Sequence, residues 1–254
     1  MMDYAVCAAL VEKGDPDRFL ATMAAAPEVR GGLFTLAAYN LELARAPWAS
    51  KEPMIAEMRL QWWRDLIDEI AAKGVVRTHE ISASLVQCVQ EFGLSAQNLD
   101  QMAAARLWDA YTEPFADQDD FDEYIDHTAG HLMWMACQTL GAQPDDEKSV
   151  RAYAYGVGVA AWLAAVADLV ERGKIPLLDG RDEGIKSLAQ QGLERLQSAK
   201  PSRNFAPALR WGWQAEPLLK LAIKNPERVG DGSLYLPEFS RKARLLRKSV
   251  LGRY

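Results

Sequence analysis

The chain has 254 residues, of which 49% are hydrophobic and 25% are charged, as is typical of a globular protein with a large core. Its net charge of −6 argues against nonspecific binding of nucleic acid by the whole surface. The cysteines Cys7, Cys88 and Cys137 are scattered, and their spacing fits neither a zinc site nor a redox pair. We therefore expect a reducing compartment, the cytoplasm.

The first residues contain a short apolar run, but it carries Asp3 and lacks an early lysine or arginine. A secretory signal peptide needs such a positive charge, so we expect none. Uninterrupted apolar runs elsewhere stay shorter than the ~18 residues typical of a membrane span. These observations leave a peripheral membrane role open.

Helix signals dominate the chain, and strand signals are nearly absent. Asp15 is placed to cap one helix, and Pro27 opens the next. Ser50 is placed to cap the helix that follows, which ends at Gly74. Further helices are predicted over about 79–92, 95–111, 118–140, 145–172, 183–198, 205–223 and 237–251. The pattern predicts an all-α fold, a single-domain helical bundle that spans residues 1–254.

The segment 145–172 is apolar nearly all round and contains the run AYGVGVAAWLAAVA. A helix of this kind belongs in the centre of a bundle. Its small residues let neighbouring backbones approach closely, or they line a cavity. We therefore expect this helix to form the core of the fold.

Acidic residues cluster between positions 117 and 126, where Asp122 and Asp126 lie one helical turn apart. Two carboxylates on one helix face are a candidate Mg²⁺ site. The alternative, which we favour, is an acid-rich helix N-terminus whose carboxylates complement the helix dipole.

Glu123, His127 and His131 follow one another at four-residue intervals, so they share one helix face. Such a ridge is a candidate metal site. No second motif supplies a further ligand at a recognisable spacing. We therefore favour a helix face whose histidines form local hydrogen bonds near the core boundary.

The segment MRLQWWRD, residues 58–65, combines two arginines with two tryptophans. One interpretation is a polar wall lined by Arg59 and Arg64. The other is that Trp62 and Trp63 anchor the core while the arginines pack over them. Both interpretations stay open.

The predicted helix at about 237–251 is basic and amphipathic. Six lysines and arginines and no acid follow position 240, in contrast to the acidic net charge of the chain. Ala243, Leu246 and Val250 form an apolar row, flanked by Leu245. The row is suited to an anionic membrane surface or a protein partner, but we favour packing of this helix on its own acidic bundle.

Four segments of the chain carry a family pattern: DRFLATMAAAPEVRGGLFTLAAYNLELARAP, SKEPMIAEMRLQWWRDLIDEI, DEYIDHTAGHLMWMACQTLG and ERGKIPL. Read in order, they resemble the squalene/phytoene synthase family over about residues 18–180. The resemblance implies an all-α, isoprenoid-synthase-like fold whose central cavity holds two prenyl diphosphates. Active members stabilise the leaving diphosphate with Mg²⁺ ions, which two aspartate-rich motifs hold.

Other residues occupy the positions of these two motifs. At the first, the resemblance places Ala44, Arg45 and Trp48 where the family has aspartates. At the second, only Asp168 and Glu171 remain as acids, and the sequence WLAA replaces a polar ladder. The resemblance therefore implies that the prenyl-transfer sites are lost, so we expect no catalytic residue, no bound metal and no cofactor.

Two shorter segments match one branch of that family. NLELA, residues 40–44, and MRLQWW, residues 58–63, resemble the mitochondrial complex I assembly factors of the squalene/phytoene synthase family. This resemblance implies a noncatalytic, membrane-associated assembly or scaffold role for a respiratory complex, with the cytoplasmic protein held peripherally at the inner membrane. The partner is then a protein, a subunit of that complex, and no nucleic acid is expected.

The candidate ligand-binding residues are Glu42, Arg45, Arg59, Arg64, Asp168 and Lys174. In an assembly factor the arginines and Glu42 form internal ion pairs or a modest ligand site. The alternative function is a divergent prenyl transferase that condenses two isoprenoid diphosphates. It needs Mg²⁺, with Glu42, Asp168 and Glu171 as diminished ligands and arginines holding the diphosphate. A third hypothesis is an isoprenoid or lipid carrier that keeps the apolar cavity.

Overall fold

The computed structural model of the protein describes residues 4–50 and 52–254. Within these ranges it contains helices and no β-strand, so the predicted all-α fold is confirmed. The α-helices are α1 (Ala5–Gly14), α2 (Pro16–Met23), α3 (Arg30–Arg45), α4 (Pro53–Ala71), α5 (Ser82–Phe92), α6 (Ala96–Ala105), α7 (Leu107–Ala110), α8 (Gln118–Ile125), α9 (His131–Gln138), α10 (Glu147–Glu171), α11 (Asp182–Ser198), α12 (Ala206–Leu209), α13 (Ala215–Lys224), α14 (Glu227–Gly230) and α15 (Glu238–Val250). Turns of 3₁₀ helix lie at Pro27–Val29, Ala46–Trp48, Pro144–Asp146, Arg203–Phe205 and Arg210–Gly212, and a π-helical turn lies at Asp126–Gly130.

The predicted cap at Asp15 is confirmed, whereas the predicted cap at Ser50 is wrong. The Asp15 side chain accepts a hydrogen bond from the backbone N–H of Arg18 at 3.0 Å, as an N-cap does. α4 begins at Pro53, with Glu52 in the cap position. The Ser50 hydroxyl oxygen instead accepts from the N–H of Glu52 at 3.1 Å. Proline suits the first helical position because the N–H that it lacks has no helical partner there.

Three predicted helices are interrupted. The segment 118–140 contains the π turn between α8 and α9, and the segment 95–111 breaks at Arg106. The segment 205–223 divides into α12, a 3₁₀ turn and α13. In that turn, Gly212 packs so closely on α10 that a Cβ atom there would lie 2.3 Å from Val157. Such breaks depend on tertiary contacts, so periodicity alone does not predict them.

α10 lies at the centre of the fold, as its apolar sequence predicts. It packs against α9, α11, α13 and the π turn. Gly156 lets α11 approach closely, since a Cβ atom there would lie 2.5 Å from the carbonyl oxygen of Gly192. By length and composition the stretch Pro144–Glu171 also suits a membrane span, but 61% of its most apolar window is buried inside the protein. The core helix of a bundle shows the same burial.

Candidate functional site

A cavity of about 270 Å³ lies between the end of α3, the π turn and α10. Small residues of α10 line one side of it, at Gly158, Ala161 and Ala165. The remaining lining residues, most of them apolar, are Arg18, Asn40, Ala44, Trp48, Arg106, Asp109, Tyr124, Ile125, Thr128, Ala129, Leu132, Met133, Val157, Trp162, Leu169 and Trp211. We call this space the central cavity.

The positions expected for the two aspartate motifs reach the central cavity only in part. Ala44 and Trp48 line the cavity, whereas Arg45 is exposed and lies outside it. On α10, Ala165 lines the cavity, but Asp168 is exposed and is not part of the lining. The side chains that face the cavity at these positions are therefore apolar.

Asp109 is the one carboxylate among the cavity-lining residues that the structure describes, and it is only 4% exposed. The Arg106 Nη1 donates to Asp109 Oδ2 at 3.2 Å and to the Tyr124 hydroxyl at 2.9 Å. That hydroxyl lies 3.1 Å from each carboxylate oxygen of Asp109. Burial raises the pKa of both the Asp109 carboxyl and the Tyr124 phenol. This buried network engages the carboxylate that a metal ion would need.

Arg106 and Asp109 were not among the predicted site residues. They stand three residues apart within the mainly apolar run MAAARLWDA. An isolated pair of opposite charges at this spacing is a signal for a buried ion pair, because charged residues are rarely buried unless paired. Tyr124, in contrast, lies in a segment that carries the family resemblance.

Glu42, Arg45 and Arg59 line a second space, a groove of about 620 Å³ between α3 and α4. Arg45 forms an ion pair with Glu42 at 3.6 Å, and the His79 Nε2 lies 4.0 Å from the same carboxylate. Arg59 is exposed, and within the described ranges it forms no ion pair. The other lining residues are Ala46, Ala49, Ile55, Met58, Trp62 and Trp63. We call this space the outer groove.

Arg64 and Asp168 lie outside both the central cavity and the outer groove. Arg64 donates two hydrogen bonds to the Asp100 carboxylate, at 2.7 and 3.1 Å, in the paired geometry that arginine and carboxylate favour. This ion pair joins α4 to α6. Trp63 is buried in the core, so the interpretation that a tryptophan of MRLQWWRD anchors the core is confirmed for this residue. Arg59 lines the outer groove without Arg64. The six predicted residues do not form one site.

Lys174 is buried behind the wall of the central cavity. Its amine donates to the backbone carbonyl oxygens of Tyr111 and Trp108 and lies 5.6 Å from the centre of the Trp48 ring. Burial lowers the pKa of this amine. Because Trp48 lines the cavity, Lys174 supports the wall, and protein groups already bind its amine.

The π turn brings three candidate metal ligands together. One ligand atom each of Asp126, His127 and His131 lies within 4.8 Å of the others. Arg151, however, donates to both oxygens of Asp126 at 2.9 Å, and its Nη1 lies 3.0 Å from Nδ1 of His131. The other ring nitrogen of His131 lies 2.9 Å from the Gln101 Oε1. The positive guanidinium opposes a cation here, which supports the favoured interpretation of a locally hydrogen-bonded helix face.

The Asp122 and Asp126 carboxylates form ion pairs with different residues. Asp122 pairs with Arg195 at 2.9 Å, and Asp126 pairs with Arg151 at 2.9 Å. Each carboxylate thus has its own arginine partner, which leaves the two without a common orientation toward one cation. Asp117 caps the N-terminus of α8, as expected for an acid-rich helix start.

The fold matches two solved structures over nearly the whole chain. A dehydrosqualene synthase in complex with a ligand has a TM-score of 0.79 at 15% identity, over 99% of this chain and 97% of that chain. The squalene synthase HpnC from Alicyclobacillus acidocaldarius has a TM-score of 0.64 at 14% identity, over 98% and 94% of the two chains. Identity this low establishes the fold alone, and the isoprenoid-synthase-like architecture is confirmed.

Relatives that match part of the sequence are named as assembly factors. The "NADH dehydrogenase (ubiquinone) complex I, assembly factor 6 homolog" of Drosophila melanogaster is 29% identical over 142 residues, which are 54% of this chain and 42% of that protein. The "NADH dehydrogenase (ubiquinone) complex I, assembly factor 6" of Bos taurus is 24% identical over 135 residues, and the protein of that name in Homo sapiens is 23% identical over 135 residues. The match covers 53% of this chain and 40% of the protein in both of these cases. The match thus spans about two fifths of the length of these relatives.

The sequence profile described as squalene/phytoene synthase matches residues 11–177. The matched range begins within α1 and ends shortly after α10, so it includes most of the helices that line the central cavity. It covers well over half of the sequence. The chain therefore belongs to the squalene/phytoene synthase family.

Proposed function

We propose that this protein is a noncatalytic member of its family that acts as an assembly or scaffold factor for a respiratory complex. One observation carries the proposal. Among the described residues, the central cavity presents a single carboxylate, Asp109, and that group is bound by Arg106 and Tyr124. Under this proposal the protein works without a metal cofactor.

Prenyl transfer makes a chemical demand that the cavity lining does not fit. Ionisation of a prenyl diphosphate releases a highly charged leaving group, which Mg²⁺ ions held by carboxylates stabilise. Ala44, Trp48 and Ala165 offer no side-chain oxygen to such ions. The volume of about 270 Å³ also lies just below the roughly 300–1,000 Å³ typical of ligand pockets. These features support a role outside prenyl-transfer chemistry.

The names of the relatives supply the biological context of the proposal. The proteins from Drosophila melanogaster and Bos taurus are named as assembly factors of complex I. Because the match covers only 42% and 40% of their lengths, the role is carried to this chain by analogy. The proposed partner is a subunit or assembly intermediate of a respiratory complex. The proposed location is the cytoplasm, with peripheral attachment to the inner membrane.

Deletion of the gene tests this function. We expect NADH:quinone oxidoreductase activity and the amount of that complex in membranes to fall, and expression of the wild-type chain to restore both. Succinate:quinone oxidoreductase activity serves as the control and should stay constant. An unchanged level and activity of the NADH-oxidising complex in the deletion strain would count decisively against the proposal.

Binding of an isoprenoid diphosphate or another anionic lipid is a second function, which one feature of the cavity favours. Arg18 lines the mainly apolar cavity, with its guanidinium 5.2 Å from the centre of the Trp211 ring. Incubation of the pure protein with labelled farnesyl or geranylgeranyl diphosphate and Mg²⁺ tests for prenyl transfer. Mass spectrometry of lipids extracted from the protein tests for a carrier. Calorimetry with the same diphosphates tests for binding without reaction. A condensed product would refute the noncatalytic proposal. If there is no product, no heat of binding and no extracted lipid, this second function is excluded.

A further inference from the structure

α15 presents an apolar stripe to solvent. Phe239, Ala243, Leu246 and Val250 follow one another at intervals of four, three and four residues, which places them on one helix face. Phe239 is 85% exposed, Leu246 is 67% exposed and Val250 is 76% exposed. A row of large apolar side chains at this level of exposure marks an interaction surface. We call these four residues the apolar stripe.

The opposite face of α15 holds the helix to the protein. Leu245 is buried in the core, and Arg241 donates to the Asp17 carboxylate at 3.1 Å. Beyond the helix, the Tyr254 hydroxyl donates to the carbonyl oxygen of Pro201 at 2.9 Å. These contacts fix the orientation of α15 with the apolar stripe outward. The prediction that this helix packs on its own bundle is therefore correct for one face and wrong for the other.

Positive charges border the apolar stripe. On a helical projection Lys242, whose amine pairs with Glu238 at 2.6 Å, lies beside the stripe on one side and Arg247 lies on the other. Both are exposed, as is Arg244. Residues 238–254 contain six basic side chains and one acid, in a chain of net charge −6. An exposed apolar face edged by lysine and arginine is the pattern of a helix that lies in the headgroup region of an anionic bilayer. A second copy of the chain is disfavoured as occupant, because it would bring like charges together.

We propose that α15 docks the protein on an anionic membrane surface. The apolar stripe lies at the depth of the lipid headgroups, and the exposed Arg244 and Arg247 bind lipid phosphates. Attachment of this kind is reversible and weakens with salt. The inference rests on α15 alone, so it stands or falls independently of the proposed assembly role.

Flotation of the full chain with vesicles tests the docking. Vesicles of phosphatidylcholine mixed with phosphatidylglycerol offer an anionic surface, and vesicles of phosphatidylcholine alone are the neutral comparison. We expect binding to the anionic vesicles that weakens at least ~10-fold when Arg244→Glu and Arg247→Glu are combined. Phe239→Ser combined with Leu246→Ser should also weaken it by ~10-fold. All four side chains are exposed, so these substitutions leave the core intact.

The matched control reverses the same number of charges elsewhere. Lys13 of α1 and Lys224 of α13 are exposed, and Lys13→Glu combined with Lys224→Glu should bind anionic vesicles like the wild type. If this control loses binding as strongly as the α15 variant, attraction by overall charge explains the binding and the proposal is wrong. Equal binding to both kinds of vesicle, or binding to neither, also overturns it.

A fluorescent label locates the contact. Cys7, Cys88 and Cys137 are buried, so a cysteine introduced on α15 is selectively accessible to an environment-sensitive thiol dye. With anionic vesicles, the fluorescence emission of a dye on Leu246→Cys should shift to shorter wavelength. The emission of a dye on Ser240→Cys, which lies off the apolar stripe, should shift less. If the wild type instead forms a dimer by light scattering, and the stripe variants convert it to a monomer without any vesicle binding, the stripe joins two copies and membrane docking is refuted.

Discussion

The central cavity and the outer groove share α3 but use its polar residues differently. Asn40 and Ala44 line the cavity, whereas Glu42 and Arg45 line the groove. The buried charges at the cavity bind one another, while the groove leaves Arg59 exposed. Of the six charged residues that the sequence nominates for a ligand site, three are exposed, two are half-buried and only Lys174 is buried. In this part of α3 the charged side chains of Glu42 and Arg45 therefore face the outer groove and not the central cavity.

The residue types that line the outer groove also differ from those of the central cavity. Trp62, Met58 and Arg59 line it, and tryptophan, methionine and arginine are the residue types enriched in protein–protein interfaces. The central cavity offers mainly small and apolar side chains around one buried ion pair. Substitutions at the central cavity should therefore change the unfolding free energy. Substitutions in the outer groove should instead change an activity that depends on a partner.

Removal of the Asp109 carboxylate should have the largest effect. Asp109→Ala leaves the half-buried Arg106 guanidinium without its buried counterion, and the loss of one partner of such a pair costs about 3 kcal/mol of unfolding free energy or more. Urea denaturation measures this cost. Asp168→Ala removes an exposed carboxylate of α10 and should change stability by no more than about 0.5 kcal/mol. Equal losses in the two variants would contradict the buried network.

His131, the first residue of α9, should make the stability of the protein depend on pH. Burial, and then the neighbouring Arg151, lowers the pKa of His131 to about 4, against about 6.5 in an unfolded chain. The folded state keeps the ring neutral, so stability is complete above the unfolded pKa and is lost as the pH falls from about 6.5 towards 4. The loss is roughly 3 kcal/mol. Unfolding free energy should therefore fall less steeply with acid in His131→Gln than in the wild type, and parallel curves would disprove this origin.

Adjacent substitutions on α3 separate the two regions directly. Ala44→Asp places a new carboxylate in the mainly apolar central cavity and should cost about 2 kcal/mol. Arg45→Asp removes an exposed ion pair with Glu42 and opposes the helix dipole, which together cost less than about 1 kcal/mol. Thermal unfolding of both variants measures the difference. A larger loss for Arg45→Asp would mean that the two side chains have been assigned to the wrong regions.

The sequence predicts where the helices lie better than it predicts which space each polar side chain faces. The cap at Asp15 and the core position of α10 follow from local signals, because capping and apolar periodicity act within a few residues. The two spaces served by α3 do not follow from such signals. Asn40 and Glu42 are two residues apart, yet they open to different spaces, since each residue turns the helix by about 100° and the neighbouring helices decide what each face meets.

Substitutions in the outer groove should change stability least and report most directly on the proposed partner. Met58→Ser combined with Arg59→Glu alters exposed groups, so the unfolding free energy should stay within about 0.5 kcal/mol. The outer groove carries interface-type residues, and if the proposed partner binds there, this variant should fail to restore NADH:quinone oxidoreductase activity to the deletion strain. Val170→Ser combined with Lys224→Glu makes a matched change at exposed sites outside the groove and should restore it. Full restoration by both variants would exclude the outer groove as the partner surface, while the deletion phenotype would still decide the assembly role.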